Sequence, residues 1–306
     1  MINKYIERYR NTGRVDSLKP GGGRRKLSIQ QQETLKQTAL RFPFLTNRQL
    51  LQHIDGIPNI SEVTVSRYLR NAGIHSRIAA QKPALSQRDK DIRVELATRN
   101  LNRIEDISKT VFIDEFHLET DSKAKKRVKR LVGARYDGQN IDNYCVRNRK
   151  SITAVCCFSS KGLGPIRAVS GRMNADTYLD YLRESVIPYA IENFSDDFFL
   201  LQDNAPFHTA HVVTEFLIET IPGRVIEHPP YSPDLNPIEN LGARFKATLR
   251  KYLRVWEVRS DFELENIARI AWRETADNEG LVASLIASMR NRYQTVINVS
   301  GNHTKY

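Results

Sequence analysis

Residues 110–118, TVFIDEFHL, place apolar side chains at adjacent as well as alternating positions, so both faces of the segment need cover. A run of this kind is a central strand with helices above and below it, not a strand with one wet face. Residues 151–159 (SITAVCCFS) repeat the pattern. Lys161-Gly162 predicts a turn, and residues 165–171 pair back as a third strand. Asn174 caps a helix in which Leu179, Leu182 and Val186 recur at helical spacing. Residues 196–204 (DDFFLLQDN) read as a further strand, and Thr209 opens a helix. A short strand near 224–227 leads into the proline-rich stretch PPYSPDLNP. Pro237 then stands at the first position of a helix running to Leu253, and two more helices follow near 261–276 and 280–296. Hairpin strands followed by alternating helices and strands give a mixed α/β sheet with helices on both faces.

The first third of the chain is different. Residues 3–12 read as one short helix with Tyr5, Ile6 and Tyr9 on a common side. Pro20 and three glycines then forbid regular structure in LKPGGGRRK, where Arg24, Arg25 and Lys26 follow at once; a flexible, arginine-bearing backbone suits a DNA minor groove, and it also suits a charged linker. Residues 28–73 read as three helices. The first stops before Pro43, the second starts at the capping-box sequence Thr46-Asn-Arg-Gln49, and the third is capped by Ser61 and ends at Gly73. Val65, Leu69 and Ala72 share the packing face of the third helix, which leaves Thr64, Ser66, Arg67 and Arg70 to project elsewhere. That is a helix-turn-helix arrangement with its last helix free for the major groove, or else a tri-helical bundle with a solvated basic face. Residues 77–100 form a basic connector with a helix from Ser86 to Arg99.

Charge supports the DNA reading. The net charge is +12 over 306 residues, and residues 1–100 carry 19 Lys and Arg against 8 Asp and Glu, leaving 28 against 27 for the rest. A basic module that meets a polyanion is therefore joined to a near-neutral body. No apolar run approaches membrane-spanning length, so no membrane partner is expected. The N-terminus has no signal-peptide core. Three cysteines, Cys145, Cys156 and Cys157, make a poor disulfide framework and point to a reducing compartment. They include no Cys-x-x-Cys pair, so no structural zinc is expected.

The chemistry lies in three acids. Asp114 lies inside the first predicted central strand, and Asp203 ends another in LLQDN. Burying a carboxylate among Phe, Ile and Leu is costly without a partner. A divalent cation is a partner that accepts several carboxylates at once. Glu239 sits in the first turn of the helix opening at NPIEN. Three oxygen ligands on the rims of one sheet suit Mg²⁺, with Mn²⁺ as a substitute. Each acid has a structural alternative. Asp114 could pair with Arg135, Asp203 could cap its own turn, and Glu239 stands in capping-box register with Asn236.

The strings LQDNAPFHTA and HPPYSPDLNPIEN resemble the hallmark of mariner-like DDE transposases, and the 36 positions from Asp203 to Glu239 fall within that family's range. VFIDE resembles the family's first catalytic strand. KRLVGARYD, AVCCFSSKGLGPI and GRMNADTYL resemble its linking segments. IERYRNTGRV and GGGRRK resemble the end of a first helix-turn-helix and a groove-binding hook. The resemblance implies a ribonuclease H-like catalytic domain over 109–306, a second helix-turn-helix over 27–80, a connector over 81–108, and over 1–26 the remnant of a first helix-turn-helix with its basic linker.

The same resemblance implies Asp114, Asp203 and Glu239 as the catalytic, Mg²⁺-binding trio, with His208 and Asn204 at the active-site rim, although a structural hydrogen bond accounts for His208 equally well. It implies DNA transposition and integration in the nucleus by a homodimer acting on double-stranded DNA, namely transposon terminal inverted repeats and a TA target, with no small-molecule substrate. Two departures stand out. Gly23-Arg24-Arg25 lacks the hook's usual proline, and Gly242 occupies a place where the family carries tryptophan, which predicts a packing deficit.

Two other functions compete. One is a sequence-specific DNA-binding protein whose catalytic domain has decayed or been domesticated, which the intact acids oppose. The other is a ribonuclease H-like nuclease acting on RNA hybrids, which the helix-turn-helix opposes. His117 points to the strand face opposite Asp114, His228 reads as loop structure, and the run Lys123–Arg130 is a nuclear-import signal, a DNA-backbone contact or a solvated turn.

Overall fold

A computed structural model describes residues 2–13, 26–77, 79, 82–120, 149–169, 171–275 and 280–306. Arg24, Arg25, Arg135, Cys145 and the basic run 123–130 lie outside the described residues. The chain divides into two compact units, residues 1–81 and 82–306.

In the first unit, α1 spans Ile2–Thr12, α2 Ile29–Arg41, α3 Asn47–His53 and α4 Glu62–Asn71. The caps expected at Thr46 and Ser61 are present: Thr46 with Gln49 closes a full capping box, and the Ser61 side chain accepts from the Thr64 N–H. Ser28 with Gln31 closes a further capping box ahead of α2. α4 ends in a Schellman motif: Gly73 takes φ +80°, the Ile74 N–H donates to the Leu69 carbonyl at 2.8 Å, and the Gly73 N–H donates to Arg70 at 3.0 Å. Leu35, Leu50, Ile54, Ile60, Val65 and Leu69 pack between α2, α3 and α4 as one small core.

The second unit is built on a five-stranded mixed sheet in the order β3-β2-β1-β4-β5. Its strands are β1 (Thr110–Glu119), β2 (Ser151–Ser159), β3 (Gly162–Val169), β4 (Phe199–Leu201) and β5 (Val225–Ile226). β1 runs antiparallel to β2 and parallel to β4, which puts the segment expected to be central in the middle of the sheet. Phe112, Phe116 and Leu118 face one layer, and Val111 and Ile113 face the other. The first layer contains α9 (Ile238–Leu253), α10 (Asp261–Thr275) and α11 (Leu281–Asn298). The second contains α6 (Ala175–Tyr181), α7 (Ile187–Phe194) and α8 (His211–Thr220). α6 passes into α7 through a π-helical turn, Leu182–Val186, next to Pro188, whose ring nitrogen has no hydrogen to give the preceding turn.

Three expectations change in detail. The strand expected over 196–204 is ordered only at Phe199–Leu201, so Asp203 stands just beyond its end on an open loop. The helix expected to start at Thr209 begins at His211. The connector expected over 81–108 is part of the second unit: its helix α5 (Gln87–Asn102) packs on α11 and buries Arg93, Leu96, Ala97 and Asn100.

Candidate active site

Asp114, Asp203 and Glu239 come from three different elements and line one cavity of about 400 Å³. β1 supplies Asp114, the loop after β4 supplies Asp203, and the first turn of α9 supplies Glu239. The remaining wall includes Asn204, His228, Tyr231 and Asn236. Among the described residues no three His, Cys, Asp or Glu side chains are yet gathered closely enough to hold an ion between them. The acids ring a space large enough for a hydrated ion and a phosphate.

Their environments differ. Burial, followed by the charges of Glu239 and Glu115, pushes the Asp114 carboxyl up to about 8. Burial also raises Glu239; the charge of Lys246 opposes the shift and that of Asp203 adds to it. Burial alone would raise Asp203, but hydrogen bonds from His208 and from the Ala205 N–H outweigh it and hold the carboxyl below its ordinary value. Carboxylates that repel one another around a shared cavity are the arrangement a divalent cation relieves.

His208 fixes Asp203. It is buried, donating from Nδ1 to Asp203 Oδ1 at 2.7 Å and from Nε2 to Glu115 Oε1 at 2.9 Å. Burial would strip its proton, but the two carboxylates hold it at about 9, so it is an imidazolium at neutral pH. The Tyr178 ring lies 4.3 Å from the imidazole, and the Tyr178 hydroxyl donates to Gln202 Oε1 at 2.6 Å. His208 therefore lies behind the rim, as a strut between β1 and the Asp203 loop. Asn204 lines the cavity and donates to the His228 carbonyl at 2.8 Å, tying that loop to the proline-rich stretch. His228 itself is buried, and burial pushes its imidazole down to about 4. His117 is exposed on the opposite strand face, as expected.

The capping alternative for Glu239 is not realised: α9 begins behind Pro237 with no side-chain cap, and the Glu239 carboxylate is left to the cavity. The packing deficit expected at Gly242 is also absent. A Cβ there would come within 2.2 Å of the Phe116 ring, which fills the space and packs edge-on against Phe245.

Residues that the sequence reading missed hold the Glu239 loop in place. Arg93 is fully buried and donates to both Asp234 carboxylate oxygens, at 3.0 and 2.7 Å, and to Ser232 Oγ at 2.5 Å. Arg292, also buried, donates to the Asp234 carbonyl at 2.9 Å and to Asn240 Oδ1 at 2.7 Å. Burial would raise Asp234, but Arg93 and Thr304 keep its carboxyl low. A signal was present: Arg93 shares the i, i+3, i+4, i+7 face of Leu96, Ala97 and Asn100, and Arg292 shares that of Leu285, Met289 and Val296. A charge at a core register position needs a buried partner. Tyr231 in the same loop holds φ +52°, a conformation that a bulky side chain adopts only when its surroundings enforce it.

In the first unit Arg67 and Arg70 are exposed on α4. Thr64 is not: it is 8 % exposed and turned onto the Ser61 hydroxyl at 3.0 Å. Ser66 Oγ accepts from Asn47 at 2.7 Å, and the Lys26 backbone N–H donates to the Tyr68 hydroxyl at 2.9 Å. The surface α4 offers is thus narrower than the sequence implied, with Arg67 and Arg70 as its basic groups.

Comparison with known proteins reaches both units. Residues 109–262 match a family model described as DDE superfamily endonuclease, and residues 32–102 match a transposase model. The transposable element Tc1 transposase of Caenorhabditis elegans is 31 % identical over 85 % of this chain and 94 % of its own length. The Tcb2 transposase of Caenorhabditis briggsae is 32 % identical over 79 % of this chain and 87 % of its own. Among solved structures, the Mos1 mariner paired end complex with Mn superposes with a TM-score of 0.72 at 20 % identity, covering 99 % of this chain and 88 % of that one. Domain content, relatives and fold coincide: the chain belongs to the Tc1/mariner-type transposases, with a helix-turn-helix DNA-binding region and a DDE endonuclease domain.

Proposed function

We propose that this chain recognises the terminal inverted repeats of its own element, cuts the DNA at their ends with the help of a divalent cation, Mg²⁺ or Mn²⁺, and joins the freed 3′-hydroxyl to TA target sites. The observation that carries the reading is the convergence of Asp114, Asp203 and Glu239 on one cavity from three separate elements. Structures of Mos1 are paired end complexes with Mn and with Mg, and one is a strand transfer complex, which supports the same reading for a chain of the same fold. Two DNA ends require two active sites, so the working form is a homodimer on double-stranded DNA in the nucleus.

The chain's own residues supply position and charge. The cation, when bound, would supply Lewis-acid stabilisation of the oxygens of an in-line phosphoryl displacement. Asp114, Asp203 and Glu239 would hold it, and hard oxygen donors are what Mg²⁺ and Mn²⁺ accept. His208 keeps Asp203 ionised and aimed. Lys246, whose ammonium lies 5.0 Å from the centre of the Phe116 ring, opposes through its charge the rise that burial imposes on the Glu239 carboxyl.

The test is cleavage of DNA carrying the element's ends in Mg²⁺. Asp203→Asn should abolish it while the protein stays folded and still shifts the DNA in a gel. Undiminished cleavage by that variant would sink the assignment, and DNA binding without cleavage by the parent would favour a protein that has kept only its DNA-binding role.

A further inference from the structure

Asn236 is 2 % exposed, yet its carboxamide oxygen has no hydrogen-bond partner among the described residues. Buried polar atoms are nearly always paired, so an unpaired one beside a functional cavity points to something that arrives later. The ordinary explanation for Asn at this position is helix capping, and it does not apply. α9 begins behind Pro237 with no side-chain cap, and only the Asn236 backbone carbonyl meets the first turn, accepting from the Glu239 N–H at 3.3 Å. The residue lines the same cavity as Asp114, Asp203 and Glu239.

The loop is held on both sides of this residue. Two positions before it, Asp234 is gripped through its carboxylate by Arg93 and through its carbonyl by Arg292. Four positions after it, Asn240 accepts from the same Arg292. Both guanidinium groups are buried. An amide on a backbone anchored in this way has little freedom to seek another partner.

We propose that Asn236 is a fourth oxygen donor of the cation site, its carboxamide oxygen meeting the divalent ion or a water of its shell. The inference rests on the reading of the acidic trio as cation ligands. Amide carbonyls are ordinary ligands for hard cations. A neutral donor adds coordination without a further negative charge in a cavity where Glu115 and Glu239 already crowd Asp114.

The test is Mn²⁺ binding to the full-length, DNA-free chain, read from the electron paramagnetic resonance signal of the remaining free ion, with unfolding midpoints measured in chelator. Asn236→Leu should weaken Mn²⁺ binding roughly ten-fold, the lower end of what a group supporting a metal's ligands is worth. Its metal-free midpoint should hold or rise, because an unpaired buried oxygen is gone. Asn236→Asp, which keeps an oxygen, should bind Mn²⁺ at least as tightly as the parent. Should the leucine variant fail to fold, Asn236→Ala makes the same comparison. Parental Mn²⁺ affinity in the leucine or alanine variant overturns the proposal, as does a fall in metal-free midpoint with Mn²⁺ affinity unchanged, the mark of a purely structural amide. Asp203→Asn separates the two readings. If the parent binds no Mn²⁺, or if Asp203→Asn leaves binding intact, the trio itself fails. If Asp203→Asn loses binding and Asn236→Leu does not, only the role of Asn236 fails.

Discussion

Arg93 on α5 grips Asp234 with both terminal nitrogens, at 3.0 and 2.7 Å, and the two side chains are 0 % and 1 % exposed. Removing one member of such a pair strands a buried charge, at a cost of about 3–5 kcal/mol. Arg93→Met should therefore lower the free energy of unfolding by that amount in a urea titration. Adding Asp234→Leu should recover part of the loss, because the uncompensated carboxylate goes with it. A double variant as unstable as the sum of the two singles would mean that Arg93 and Asp234 act independently.

His208 should matter to cutting more than to holding DNA. Its bonds to Asp203 Oδ1 and Glu115 Oε1 set the direction of the Asp203 carboxylate. Misplacing a reacting group by about 1 Å costs on the order of 100-fold in rate. His208→Ala should reduce single-turnover cleavage by about that factor and leave the DNA gel shift unchanged. A parallel loss of DNA binding would show that the strut serves the whole fold.

His228 gives the protein an acid limit. Burial pushes its folded imidazole down to about 4, whereas an unfolded histidine titrates near 6.5. The unfolded chain takes up the proton first, so stability is full above about 6.5, declines as pH falls, and levels off below about 4, for a total of roughly 3 kcal/mol from this group. His228→Gln should flatten that part of the stability profile, as followed by thermal unfolding at several pH values. An unchanged acid slope would place the sensitive group elsewhere.

Gly242 and Phe116 should behave as a matched pair. In a helix interior Gly→Ala ordinarily gains up to about 1 kcal/mol. Here the new methyl would sit 2.2 Å from the Phe116 ring, and overpacking of that kind costs about 1–3 kcal/mol. Gly242→Ala should therefore lower the unfolding midpoint, and Phe116→Leu in the same chain should restore part of it. A stabilised Gly242→Ala single variant would show that the ring is free to move aside.

Much of this was legible in the chain itself. The two-faced apolar run at 110–118 placed β1 at the centre of the sheet, and Thr46, Ser61 and Gly73 marked helix ends of the first unit. These are local rules in which a residue acts on neighbours within four positions. What the sequence hid was long-range. Arg93 meets Asp234 from 141 positions away, and Glu115 meets His208 from 93. Local pattern also misjudged Thr64, because two hydroxyls one helical turn apart can satisfy each other and turn inward. At Asn236 the capping register was present but unused, since the helix begins at Ile238 and its cap position falls to Pro237, which has no side-chain acceptor.

The assignment of α5 to the second unit bears on how such chains can be cut and rejoined. A fragment starting where the endonuclease match starts, at residue 109, would leave Asp234 facing a hole where the Arg93 guanidinium belongs. The seam across which a foreign DNA-reading arm could be grafted lies instead near residue 81, ahead of α5. The border between the units falls inside the stretch, residues 32–102, that matches the transposase model, so a fragment cut at either edge of that match breaks one unit or the other.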